Sequence, residues 1–295
     1  MRMRQSPGFI GLGLMGLPMA KRLVKTTGRL AVHNRTKDKA KELLHEGATW
    51  CDTPSGVASQ ADVVFSMVSD PAALRSIALG PSGIFAGLPP GGIHVDTSTV
   101  SSAITRELAE TYREHGCHFL HAPVLGSVPH AADGALLMFV GGDDEAYEKA
   151  EPYLKILSQQ RWRFEHPEQA SSLKLICNLF IAGMITTLGQ ALVFAGKADV
   201  DERTVLDVIG QSQMGSPMYR SKGTSILDGN FAPRFYLEHM LKDINLMVDA
   251  AREVGAPLPT IEVARELFLE AERAGFGHED YSAVVKAMGM MKGRR

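Results

Sequence analysis

The hydrophobic positions of this chain follow one pattern in the first half and another in the second. In the first half, short apolar runs alternate with stretches of helical period. Strands are predicted to end at Gly8–Gly11 and to cover Leu30–His33, Asp62–Val68 (DVVFSMV) and Ile93–Asp96. His118–Ala122 and Ala135–Gly141 (ALLMFVG) predict two more. Between them, Leu17–Thr26, Lys37–Glu46, Ser101–His115 and Asp144–Leu157 carry the period of helices. In the first of these Ala20, Leu23 and Val24 share a face. An unbroken apolar run such as DVVFSMV suits a strand covered on both faces. Strands alternating with helices predict an α/β fold with a doubly wound parallel sheet.

The second half reads differently. Ser158–Ala170 is polar and poor in strand signals. From Ser171 onward nearly everything is helical, with turns at Gly215–Pro217, Ala232–Pro233 and Pro257–Pro259. The predicted boundary lies near residue 167, giving domains 1–167 and 168–295. Leu173–Gly196 is the most membrane-like stretch. Lys174, Asn178, Thr186, Thr187 and Gln190 interrupt it, so a buried helix is expected rather than a lipid-facing span.

Composition narrows the classes. The 295 residues, 45% hydrophobic and 22% charged, are enough for two folded domains and unlike a disordered chain. A net charge of −2 argues against a dedicated nucleic-acid binder, and the basic end Lys292–Arg295 reads as a solvated tail. Cys51, Cys117 and Cys177 are odd in number and widely spaced, which excludes a disulfide framework and predicts a reducing compartment. The opening MRMRQSPGFIGLG lacks the apolar stretch of a secretory signal, so a cytoplasmic protein is expected. His118, His121 and His130 make no metal set by spacing and read as ordinary histidines. Met288–Met291 reads as gap-filling in a core.

Two motifs carry chemistry. Gly11-Leu12-Gly13-Leu14-Met15-Gly16 matches GxGxxG between a predicted strand and a predicted helix. There the first glycine permits the turn, the second lets backbone approach a pyrophosphate, and the third lets helix and strand pack closely. The helix N-terminus offers N–H groups and partial positive charge to the phosphates. A dinucleotide is therefore expected. An NAD site normally ends its second strand on a carboxylate that bonds the ribose 2′-OH. Here His33-Asn34-Arg35-Thr36 stands instead. Arg35, helped by Asn34 and Thr36, suits a 2′-phosphate, which predicts NADP(H), with NADH the weaker partner. The second motif is Lys174 with Asn178, four apart on one face of an apolar helix. An ammonium in such a run needs a cleft or a partner. It can serve as a general acid/base or simply snorkel near a helix start, and periodicity alone does not choose.

The motifs GFIGLGLMGLPMA (8–20), NRT (34–36), DTSTV (96–100), HAPVLGS with the later DGALL (121–137), LKLICN (173–178) and LKDINL (241–246) together resemble the β-hydroxyacid dehydrogenase family. The resemblance runs in order over essentially the whole chain. SPMYRSKG (216–223) and FYLEHMLKD (235–243) are most similar to its glyoxylate/succinic semialdehyde reductase branch. It implies an N-terminal Rossmann domain and an all-helical C-terminal domain like that of 6-phosphogluconate dehydrogenase. A long helix is implied to join them, with the active site in the cleft. Lys174 is implied as the catalytic proton donor and acceptor, with Asn178 orienting it. Met67, Val68, Thr99 and Lys242 are implied to contact the cofactor. Val124, Leu125, Gly126 and Ser127, with backbone N–H groups for a carboxylate, and Phe235 and Asp243 are implied at the substrate. A homodimer or homotetramer follows from the helical domain, and the partner is a small carbonyl or hydroxy acid, with no nucleic acid and no membrane.

Two departures from the family pattern bear on substrate. Leu125 stands where the loop usually has serine, which removes a hydroxyl and favours a larger, more apolar substrate. Glu165–Ser172 replaces a glycine-rich approach to the lysine helix, with Ser171 or Ser172 expected to cap it. The expected activity is NADPH-dependent reduction of small aldehyde acids. The alternatives are a 3-hydroxyisobutyrate-type dehydrogenase and a non-catalytic NADPH-binding interaction protein.

Overall fold

The computed structural model describes residues 6–290. The basic end Lys292–Arg295, the start of the N-terminal segment and Met291 lie outside the described residues. The chain forms two compact units, one running to Leu175 and the other starting at Ile176.

In the first unit the described residues form a nine-stranded sheet. Its strands are β1 (Gly8–Ile10), β2 (Leu30–His33), β3 (Ala48–Trp50), β4 (Val63–Ser66), β5 (Ile93–Asp96), β6 (His118–His121), β7 (Val124–Leu125), β8 (Leu136–Gly141) and β9 (Ser158–Phe164). The order is β3-β2-β1-β4-β5-β6-β8, with β7 and β9 also on β8. β1 to β6 are mutually parallel. β7 continues the register of β6 along the antiparallel β8, with His121 opposite Gly141 and Val124 opposite Met138.

Alternate strand residues feed two different cores. Phe9, Val32, Val63 and Phe65 join one cluster, which includes Met19, Leu23 and Leu154. Ile10, Ala31 and Val64 join the other, which includes Leu74, Leu108 and Tyr112. Both faces are covered, which is why these strands read as continuous apolar runs. The helix Gly16–Thr27 buries Met19, Ala20, Leu23 and Val24 on one stripe and stops at Gly28, whose φ of +73° suits glycine.

Three strands escaped the sequence pattern, the two-residue β7 among them. β3 is a three-residue strand with half-exposed ends. β9 occupies the stretch read as strand-poor. It pairs only with β8, and its SQQRWRF sequence leaves several polar side chains in water, so it lacks an apolar run.

The second unit is helical: Glu202–Gln211, Pro217–Leu227, Leu237–Glu253, Pro259–Ala271 and Val284–Met290 follow the long helix Pro167–Lys197. That long helix starts ahead of the predicted Ser171, and its first turns belong to the first unit. By length and hydropathy it could cross a membrane, but 39% of its most apolar window is buried within the protein. The expectation of a buried helix holds for one stripe, Leu175, Asn178, Ala182 and Ile185, while Ile176, Phe180 and Phe194 face outward.

Candidate active site

Because β1 to β6 are parallel, their carboxyl ends share one edge of the sheet. Gly11–Gly16, Asn34–Thr36, Met67–Val68, Thr97–Thr99 and the segment after His121 all leave the sheet there. β1 lies between β2 and β4, where the strand order reverses, and the crevice at such a point is where α/β sheets bind ligands.

The glycine turn is built for backbone approach. Gly11 has φ +96°, and a Cβ there would lie 2.1 Å from the Met67 carbonyl oxygen. A Cβ on Gly16 would lie 1.9 Å from the Gly11 carbonyl oxygen. Gly13 has nothing within 4 Å of where its Cβ would stand. The first and third glycines are therefore required by packing, and the second faces open space. The helix that follows has no side-chain cap and no acid in its first turn. Its N-terminus is thus presented to an anion, and the residues present fit a dinucleotide's phosphates. Leu14 is exposed at the rim.

Asn34 has a use that the sequence did not show. Its Oδ1 accepts from the Leu12 N–H at 2.9 Å, and its Nδ2 donates to the Thr36 carbonyl at 2.9 Å. The amide ties the second strand's turn to the glycine turn, so it positions both rather than reaching outward. Arg35 and Thr36 are exposed.

The next two turns are also cross-tied. The Val68 N–H donates to Ser98 Oγ at 2.9 Å, Thr97 Oγ1 donates to the Ser66 carbonyl at 2.7 Å, and the Met67 N–H donates to the Ile10 carbonyl at 2.9 Å. Thr99 is half-buried beside them.

In the implied substrate loop Val124 points into the core and Leu125 is half-exposed, opposite Leu137. Gly126 is exposed with φ +149°. The Ser127 N–H donates to His130 Nδ1 at 3.2 Å, and Ser127 Oγ lies 2.9 Å from the same nitrogen. Ser127 is therefore the N-cap of the short helix Val128–Asp133, and its N–H is already engaged.

The lysine helix is anchored to the same edge. Ser171 Oγ donates to the Val100 carbonyl at 2.9 Å, and Ser172 Oγ bonds back to the Glu168 carbonyl at 2.9 Å. Neither serine caps the helix, contrary to the sequence expectation. The helix begins a turn earlier, where the His166 N–H donates to Gln169 Oε1 at 3.0 Å. Lys174, one turn past Ser171, is 9% exposed. Ser171 thus holds the first turns of this helix against the segment that follows β5, within the first unit.

In the second unit Asn178 Nδ2 donates to Asp243 Oδ2 at 2.6 Å, and Lys242 Nζ lies 2.7 Å from Asp243 Oδ1. Asp243 is 1% exposed, so one buried carboxylate gathers two of the predicted residues. Phe235 packs on Tyr281 with ring centroids 5.9 Å apart.

Sequence reasoning missed a buried polar chain beneath the turns. Tyr112 Oη lies 3.0 Å from His94 Nδ1, and His94 Nε2 lies 2.8 Å from Ser66 Oγ. Ser66 and Ser98 both donate to Asp96 Oδ1 at 2.7 Å. Asp96 Oδ2 and His121 Nδ1 face each other at 3.2 Å, close enough to pair, yet neither atom has a well-aligned hydrogen bond. His121 Nε2 then lies 3.3 Å from Ser171 Oγ. Burial alone raises the Asp96 carboxyl, but His121, and after it His94 and Ser66, hold it below the ordinary carboxylate value. Burial pushes the His94 imidazole down to about 4, so it is neutral at neutral pH. The only hint in the sequence was polar residues at the ends of apolar strands. A separate cavity of about 1080 Å³, lined by residues that include Arg106, His118, Asp144 and Arg163, holds none of the predicted site residues. Several of its charges pair with one another, as in His118–Asp143 at 3.0 Å and Arg163–Asp144 at 2.7 Å.

A glycine turn at the switch point of a parallel sheet, followed by a buried lysine on a helix and an all-helical unit, defines a nicotinamide-dinucleotide-binding oxidoreductase. Residues 6–167 match the NAD binding domain of 6-phosphogluconate dehydrogenase, and residues 169–288 match the NAD-binding domain of NADP-dependent 3-hydroxyisobutyrate dehydrogenase. The chain is 33% identical over 289 residues to the chloroplastic glyoxylate/succinic semialdehyde reductase 2 of Arabidopsis thaliana, covering 98% of this chain and 81% of the relative. It superposes on 3-hydroxyisobutyrate dehydrogenase from Salmonella typhimurium with a TM-score of 0.88 at 27% identity, covering 95% of this chain and 99% of the other. It also superposes on Psf3, solved in complex with NADP+ and 2-OPP, with a TM-score of 0.87 at 26% identity, covering 96% and 99%. The chain belongs to the β-hydroxyacid dehydrogenase family, oxidoreductases that act on CH–OH groups with NAD(P).

Proposed function

We propose that this protein is an NADPH-dependent reductase of small aldehyde acids of the glyoxylate and succinic semialdehyde type. The observation that carries the reading is Lys174, a lysine 9% exposed whose helix is pinned through Ser171 to the carboxyl edge of a dinucleotide-binding sheet. When bound, the reduced nicotinamide supplies a hydride to the carbonyl carbon. Lys174 gives its proton to the carbonyl oxygen as charge develops there, and takes it back in the reverse direction. Asn178, one turn further along the helix, is held by Asp243 and orients the substrate end of the lysine's surroundings. Gly11, Gly13 and Gly16, with Leu12, Leu14 and Met15, hold the phosphates. Arg35 and Thr36 take the 2′-phosphate, since no carboxylate stands there to bond a free 2′-OH.

Leu125 supports a second reading, a 3-hydroxyisobutyrate-type dehydrogenase with a bulkier, more apolar substrate. The likeness in fold to the Salmonella enzyme is compatible with it. The exposed Ile176, Phe180 and Phe194 support a homo-oligomer in which another copy covers them.

The test is NADPH oxidation with glyoxylate, succinic semialdehyde and bulkier semialdehydes, beside Lys174→Met. Turnover that requires Lys174 supports the reductase. Faster oxidation of 3-hydroxyisobutyrate with NADP+ favours the second reading. Tight NADPH binding with no turnover of any substrate refutes both and leaves a binding protein.

A further inference from the structure

We propose that His121, held against Asp96, is a positioning residue that fixes the first turns of the Pro167–Lys197 helix through Ser171 and so sets where the Lys174 ammonium stands. The proposal rests on Lys174 being the proton donor.

The three groups lie in one buried line. Asp96 and His121 are fully buried and Ser171 is 1% exposed. Asp96 is fixed from behind by the hydroxyls of Ser66 and Ser98, both at 2.7 Å. Ser98 in turn accepts from the Val68 N–H, in the turn after β4. His121 stands at the end of β6 with Nδ1 towards Asp96 at 3.2 Å and Nε2 towards Ser171 at 3.3 Å. Ser171 also donates to the Val100 carbonyl, in the segment after β5. The helix is gripped a turn earlier too: a Cβ on Gly141 would lie 2.4 Å from the His166 carbonyl oxygen and 2.8 Å from Pro167 Cα.

The position of the lysine therefore depends on two kinds of contact. Backbone packing at Gly141 fixes where the helix starts. The polar contacts at Ser171 fix its rotation and depth, because hydrogen bonds have preferred distance and angle whereas apolar packing does not. Asp96 and His121 face each other without a well-aligned hydrogen bond. Such a buried pair adds little net stability. Its effect is directional: the imidazole bridges the strand that leads into the substrate loop and the helix that carries the lysine. Proton transfer is sensitive to this, since displacing a reacting group by about 1 Å can cost about a hundredfold in rate.

The experiment compares Ser171→Ala, His121→Leu, His121→Gln and Lys174→Met with the wild-type protein, using glyoxylate and succinic semialdehyde as substrates. The readouts are kcat, KM for NADPH, Tm, and the isotope effect with NADPH deuterated at the transferred position. Ser171→Ala and His121→Leu are expected to lower kcat about tenfold or more, with KM for NADPH within about twofold of wild type. The isotope effect on kcat is expected to grow as the chemical step becomes slower. His121→Gln, which restores a polar atom towards Ser171, is expected to recover most of the loss. Wild-type kcat in Ser171→Ala and His121→Leu, with only a lower Tm, overturns the proposal. If His121→Leu does not fold, Ser171→Ala alone decides: wild-type kcat in it overturns the proposal. Lys174→Met separates the two readings. An inactive Lys174→Met beside a fully active Ser171→Ala overturns the positioning role alone. A fully active Lys174→Met, or a wild-type protein that neither reduces these aldehydes nor oxidises 3-hydroxyisobutyrate, overturns the proton-donor reading and this one with it.

Discussion

The same substitution at two glycines of one turn is expected to do opposite things. At Gly16 an added Cβ would stand 1.9 Å from the Gly11 carbonyl oxygen, more than an ångström inside the 3.0 Å that real Cβ atoms respect. The obstacle is backbone, so it yields only if the turn and helix move apart. Overpacking of this kind costs about 1–3 kcal/mol, and two backbone segments in contact put Gly16→Ala near the upper end. For a unit of this size about 3 kcal/mol lowers Tm by about 6–12 °C. At Gly13 the Cβ meets nothing within 4 Å, so Gly13→Ala should leave Tm within a degree or two. A phosphate seated against that backbone would collide with the methyl group, and the same 1–3 kcal/mol then weakens NADPH binding about 5-fold to 150-fold. The assays are thermal unfolding without cofactor and a fluorescence titration with NADPH. A Gly13→Ala variant that binds NADPH as tightly as wild type refutes the placement of the phosphates. A Gly16→Ala variant with unchanged Tm refutes the packing argument.

Other outcomes follow from particular side chains. Arg35→Asp is expected to raise KM for NADPH about tenfold to a hundredfold, the loss of a charge-assisted contact, while NADH is affected little; equal effects on both cofactors would remove the 2′-phosphate role. Because burial holds His94 at about 4 in the fold against 6.5 when exposed, the unfolded chain takes up its proton first as pH falls. Stability is therefore lost between about pH 6.5 and 4, by about 3 kcal/mol from this group, and urea unfolding should show a shallower slope over that window in His94→Gln. An identical slope in the variant would show that His94 is not buried neutral. Asn178→Ala leaves the buried Asp243 without a donor at 2.6 Å and should destabilise the protein by about 1.5–3 kcal/mol by denaturant unfolding; a neutral result would mean that the carboxylate finds a replacement.

The parallel strands were legible because both of their faces are buried and their side chains had to be apolar. β9 was not, because an edge strand keeps one side in water and its SQQRWRF sequence meets no rule that demands hydrophobicity. Gly11, Gly13 and Gly16 were recognisable from spacing, since only glycine tolerates the φ of the first and the close contacts of the first and third. Lys174 was noticeable because an ammonium in an apolar run is costly. Its role was left open by periodicity, which places a residue on a helix face but not beside a particular strand end.

The sequence thus determined what local chemistry controls: the glycine turn, the alternation of strand and helix, the missing carboxylate after β2 and the lysine on its apolar helix. Tertiary structure decided what depends on partners distant along the chain. Asn34 ties two turns together, Ser127 caps a helix instead of offering its N–H, and Ser171 anchors the lysine helix to Val100 and His121. A hydrogen bond over such separations leaves no periodic trace, because it asks for one polar atom at one distance and angle and not for a residue type repeated along a face.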